Sequence, residues 1–109
     1  MNIQHKKLAQ GRWARMELCE QLANIGSEVS RALNWQAKGN KEFCQNAAAR
    51  SLELLDLSLD SAESFSTLKE LARLREAIVD YFYGSNQFVS SDILWHKYFD
   101  GFNYALRKN

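Results

Sequence analysis

Residues 18–33 read Leu18-Cys19-Glu20-Gln21-Leu22-Ala23-Asn24-Ile25-Gly26-Ser27-Glu28-Val29-Ser30-Arg31-Ala32-Leu33. Within this stretch Leu18, Leu22, Ile25, Val29 and Ala32 or Leu33 alternate steps of four and three, the apolar seam of an amphipathic helix. Beside it runs a stripe of small residues, Cys19, Ala23, Gly26 and Ser30. A glycine inside a helix costs roughly 1 kcal/mol against alanine, so Gly26 points to close approach by a neighbouring element. The seam predicts a first helix over residues 12–38, closed by Gly39 as a left-handed C-terminal residue.

Working outward, no proline occurs anywhere in the 109 residues, so none breaks the helical periodicity. Asn40 is the expected N-cap of a second helix, with stripes Phe43, Ala47, Leu54, Leu57 and Cys44, Ala48, Leu52, Leu55, Leu59. A hairpin about Gly39-Asn40 sets Leu22 opposite Leu57, Ile25 opposite Leu54 or Leu55, and Glu28 near Arg50. Residues 60–66 read as a connector. Thr67 with Glu70 fits a capping box for a third helix that stops at Gly84, with Leu68, Leu71, Ala72, Ile78, Val79 and Phe82 inward. Ser90 is the expected cap of a fourth helix, with Val89 and Leu94 as its hydrophobic staple. Leu94, Trp95, Tyr98, Phe99, Phe102, Ala105 and Leu106 form its apolar face. The expected fold class is all-α, an antiparallel up-and-down four-helix bundle. Residues 1–109 form its single domain, and 1–10 are read as a frayed or mobile arm.

Composition excludes more than it assigns. Fourteen Lys and Arg against thirteen Asp and Glu leave a net charge of +1, too little for a global field that would attract polyanions. No apolar run is long enough to span a bilayer, and Lys6 and Lys7 are followed by none of signal-peptide character. A cytoplasmic protein without membrane contact is expected. Cys19 and Cys44 have neither metal nor redox spacing. In the hairpin register they lie some 16 residues apart along the axis, roughly 24 Å, too far for a disulfide, with Cys44 near Trp35. Both are read as reduced packing residues.

Three constellations bear on function. Lys6, Lys7, Arg12 and Arg15 precede the first acid, a possible arm for nucleic-acid phosphates. Glu53, Asp56, Asp60 and Glu63 form an acidic run that the hairpin brings to the same end, so mutual compensation is the favoured reading. Arg75 falls inside the apolar stripe of the third helix. It is a buried-charge candidate, either an anion ligand in a cavity or, as favoured, a stem packed on the core with its head paired to an acid. Nine of the thirteen aromatic residues lie between Tyr81 and Tyr104. Neighbours on a helix point about 100° apart, so Tyr81, Phe82 and Tyr83 cannot all enter one core. Together with Trp95, Phe99 and Tyr104 they are the expected subunit interface.

Catalytic signals are missing. Neither His5 nor His96 belongs to a Glu-x-x-His or His-Glu-x-x-His pair. No arginine precedes either at the spacing used by small helical nucleic-acid-cleaving domains. No glycine-rich phosphate loop or nucleophile elbow occurs. No catalytic residue, metal ligand or cofactor is assigned, and His96 is read as a surface residue.

Three segments, Ala23-Asn24-Ile25-Gly26-Ser27-Glu28, Lys41-Glu42-Phe43 and Ala49-Arg50-Ser51-Leu52-Glu53-Leu54, resemble motifs of the four-helix-bundle proteins encoded in intervening sequences of bacterial large-subunit ribosomal RNA genes. The resemblance spans residues 22–59. It implies a helical bundle. It also implies ring-shaped homo-oligomers that bind nucleic acid or a reverse transcriptase, as accessory proteins of diversity-generating retroelements in that family do. The expectation is therefore a non-enzymatic, homo-oligomeric helical interaction or accessory module. Its partners are itself, as a dimer, and another protein. The alternatives are a nucleic-acid-binding accessory protein using the basic N-terminal segment, or a small-ligand-binding bundle or enzyme subunit around Arg75.

Overall fold

The computed structural model describes residues 11–108, with side-chain surroundings through residue 102, and no strand occurs among them. Five helices pack together: α1 at residues 11–14, α2 Leu18–Ala37, α3 Lys41–Ser61, α4 Phe65–Phe82 and α5 Asp92–Lys108. The expected first helix is thus two. Its break at 15–17 comes from tertiary bonding, since buried Gln21 turns its amide back and donates to the carbonyls of Trp13 (2.9 Å) and Met16 (3.3 Å). Gln21 Oε1 accepts from Ser58 Oγ at 2.8 Å, and Ser58 Oγ accepts from Trp13 Nε1 at 2.7 Å. This closed ring ties α1 to α2 and α3.

The α2–α3 hairpin has the expected register. Gly39 takes φ +76°, Asn40 accepts from the Phe43 amide at 3.0 Å, and Arg50 reaches Glu28 at 3.2 Å. Leu22, Ile25, Leu55 and Leu57 share the main core with Leu71, Ile78, Trp95 and Phe99. A second cluster of Ala32, Cys44, Ala47 and Ala48 has Trp35 packed against it, small residues letting the helix backbones close. Both cysteines are free, and burial pushes the Cys44 thiol up from its ordinary pKa.

α2 packs along both α3 and α5, and α3 carries α4. Cys19 Sγ lies 3.9 Å from the Phe102 carbonyl while Gly26 meets Phe99, so α5 runs antiparallel to α2. Asp56 with Arg75, and the Gln45 carbonyl with Tyr83 Oη, set α4 antiparallel to α3. α4 and α5 meet through side chains, with Tyr81 and Trp95 ring centroids 6.0 Å apart.

Several local expectations are corrected. α4 starts at Phe65 rather than after Thr67, because Ser64 Oγ accepts the Thr67 amide at 3.1 Å and is the true cap. The connector shortens to 62–64. α5 is capped by Ser91, not Ser90, with Ser91 Oγ accepting the Leu94 amide at 3.2 Å. α4 ends at Phe82, two residues before Gly84. Leu18, Phe43, Leu68, Ala72 and Leu94, all expected inward, are exposed. Val89 and Leu94, both exposed, show no staple buried beneath the loop. Among the described residues no helix is long and apolar enough to cross a membrane.

Candidate interaction surface

The sequence between α4 and α5, Tyr83-Gly84-Ser85-Asn86-Gln87-Phe88-Val89-Ser90-Ser91, lacks helical periodicity yet forms a tied corner. Asp80, in the last turn of α4, accepts the amides of Gln87 at 2.7 Å and Phe88 at 3.0 Å through its two carboxylate oxygens. Asn86 bonds Ser90 both ways, its Oδ1 accepting the Ser90 amide at 2.8 Å and its Nδ2 donating to the Ser90 carbonyl at 2.9 Å. The Gly84 and Asn86 amides reach the Asp80 carbonyl at 3.1 Å each. Few backbone donors in the corner are left to water.

What the corner displays is apolar. Phe88 is 61%, Val89 77%, Ile93 71% and Leu94 54% exposed. Val89 adopts φ +53° and Asn86 φ +56°. Asparagine tolerates this region, but a β-branched residue there is strained by an amount on the order of 1–3 kcal/mol. A water-facing valine in such a backbone gains nothing from burial to offset that cost. The hydrogen bonds to Asp80 and Asn86 hold it in place.

Below the corner, α4 and α5 leave a groove of about 260 Å³. Leu74, Ala77, Leu94, Trp95 and Tyr98 form its apolar walls, and Arg73 and Glu70 stand at its α4 side. Tyr98 Oη contacts Glu70 at 3.5 Å. Burial, reinforced by the Glu70 charge, pushes the Tyr98 phenol up to about 12. Trp95 also lines a second cleft, between α2 and α5, and its indole N–H is buried without an acceptor. That cleft, about 240 Å³, has Ser27, Ser30, His96 and Asp100 on its walls. His96 is exposed, and no hydrogen bond joins these four side chains. Among the described residues no group of three or more His, Cys, Asp or Glu could hold a metal.

The expected interface residues separate. Trp95 and Phe99 are buried in the core of a single chain, because they pack under Tyr81 and against Gly26. Trp95 also lines the α4–α5 groove. Tyr81 and Phe82 are half-buried, and burial raises the Tyr81 pKa. Tyr83 is exposed, its hydroxyl donating to the Gln45 carbonyl at 3.0 Å. The side chain of Tyr104 lies outside the described residues, as do Lys6 and Lys7. Arg12 and Arg15 are exposed. Arg75 is not a buried charge: its side chain is 39% exposed and bonds Asp56 at 2.8 Å, which raises its pKa. Asp56 therefore pairs with Arg75 of α4.

Sequence reasoning missed Phe88, Ile93 and the display role of Val89 and Leu94. The signal was available in the apolar pairs Phe88-Val89, in a segment without helical periodicity, and Ile93-Leu94, whose members point about 100° apart and cannot both face one core. Compared with known proteins, the chain matches no family, no curated protein and no solved structure.

Proposed function

We propose that the chain is an antiparallel up-and-down four-helix bundle, preceded by the short α1, that works as a non-enzymatic homo-oligomeric interaction module. Its contact surface is the α4–α5 corner. The observation that carries this reading is the display of Phe88 and Val89 on a strained, hydrogen-bonded loop beside the exposed Ile93 and Leu94 of the first turn of α5. Four large apolar side chains exposed between Phe88 and Leu94 mark an interaction site more than single scattered leucines do. Held rigid beforehand, such a surface loses little conformational entropy on binding. The reading does not lean on the resemblance of residues 22–59, which no match with known proteins supports.

The Arg75 alternative loses force, because the guanidinium is already bonded to Asp56. For nucleic acid, the exposed Arg12 and Arg15 are the described part of the basic segment. Light scattering on the purified chain across the micromolar range tests the proposal. A molar mass rising with concentration toward twice 12.6 kDa or beyond is expected. A constant 12.6 kDa would overturn it.

A further inference from the structure

We propose that the α4–α5 groove is the receptor for Phe88 of a second copy, in a two-fold dimer whose rim is closed by ion pairs between Arg73 and Asp92. This rests on the homo-oligomer reading above and names its geometry.

The knob is Phe88. Its amide is fixed to Asp80 Oδ2, and the left-handed Val89 follows it, so the backbone cannot simply swing the ring inward. The receptor is the groove lined by Leu74, Ala77, Leu94, Trp95 and Tyr98, roomy enough at about 260 Å³ for a phenyl ring. Of the two clefts beside Trp95 this is the one with apolar walls, the other being rimmed by Ser27, Ser30, His96 and Asp100.

Knob and receptor also lie side by side. Ser90 and Leu94 line the groove and stand two and six residues after Phe88. A two-fold interface needs one patch that is complementary to itself, and a projecting ring next to a ring-sized hollow meets that condition. The two-fold arrangement closes after two copies, whereas a single unreciprocated insertion would build an open chain.

Charge supports the same occupant. Between Arg75 and Lys97 the chain carries Glu76, Asp80 and Asp92 and neither lysine nor arginine, with Asp80 and Asp92 flanking the corner. The groove's α4 side offers Arg73, while Glu70 beside it already faces the Tyr98 hydroxyl. Arg73 and Asp92 take part in none of the ion pairs among the described residues, which are Arg31–Glu28, Arg50–Glu28 and Arg75–Asp56. Inserting the acidic corner of one copy beside Arg73 of the other brings opposite charges together twice, by symmetry.

Sedimentation velocity on Arg73→Asp, Asp92→Arg and the double variant tests this, with circular dichroism confirming that each is folded. Each single reversal should weaken dimerisation by about tenfold, since like charges then meet at both rims. The double variant should recover most of the native affinity. A native dimer that neither single reversal weakens would overturn the groove assignment and leave the homo-oligomer reading intact. A native chain that stays monomeric at every concentration would overturn both.

Discussion

A Cβ on Gly26 would lie 2.7 Å from Cγ and Cδ1 of Phe99 and 2.8 Å from its Cβ. Cβ and Cγ lie on the axis about which the ring turns, so rotating the ring cannot clear them. Two effects compete in Gly26→Ala. Helix propensity favours alanine by roughly 1 kcal/mol, while forcing α2 and α5 apart costs about 1–3 kcal/mol. Overpacking outweighs propensity at contacts this short, and a net loss of about 1 kcal/mol is expected in urea denaturation. An unchanged or raised midpoint would show that α5 does not seat on Gly26.

Ser58 holds α1 to the rest of the molecule. Ser58→Ala leaves Trp13 Nε1 without its acceptor and Gln21 Oε1 without its donor, both inside the core. An orphaned buried polar group costs about 1–3 kcal/mol. Hydrogen exchange should accelerate at residues 11–16 more than in α3 itself. Uniform acceleration would mean that α1 is not a separate clamp.

Val89→Asn should stabilise the fold by about 1 kcal/mol, because asparagine accepts the left-handed backbone that valine resists. The same change removes an exposed apolar side chain, so association should weaken as thermal stability rises. Opposite movement of the two readouts distinguishes an interaction residue from a packing residue. A variant that is less stable would contradict the strain at Val89.

Tyr98 gives a pH prediction. Its phenol, raised first by burial and then by Glu70, keeps its proton up to about 12, above the ordinary value near 10. The native state therefore holds a proton that the unfolded chain gives up first. The stability this confers is complete below pH 10 and is lost as pH climbs through 12. In an ultraviolet titration Tyr98 should ionise late, and Glu70→Gln should lower its midpoint. Loss of no late-titrating component in Tyr98→Phe would contradict the assignment.

The hairpin was legible because its determinants are local: the seam from Leu22 to Leu33, the Gly39-Asn40 turn, and the Glu28–Arg50 pairing that follows from the register. Gly26 announced a close neighbour without naming Phe99. The break at residues 15–17 was hidden because Ser58, 45 residues beyond Trp13, helps to cause it. The cap of α4 was misplaced because Thr67 with Glu70 mimics a capping box, while exposed Phe65 and Leu68 give the periodicity no inward anchor. The aromatic surplus was visible, but its division was not. Phe99 seats in the core where Gly26 leaves it room and Trp95 packs against Phe99 and Tyr81, while the exposed apolar remainder is Phe88, Val89, Ile93 and Leu94.

If copies associate through the α4–α5 corner, Phe88→Asp should abolish association. Phe88 is exposed, so its replacement should leave the helical circular dichroism and the unfolding midpoint within about 0.5 kcal/mol of native. Sedimentation equilibrium of native and variant chains at matched micromolar concentrations is the measurement. The native chain should self-associate and the variant should remain at 12.6 kDa throughout. A variant that associates as strongly as the native chain would contradict association through the corner.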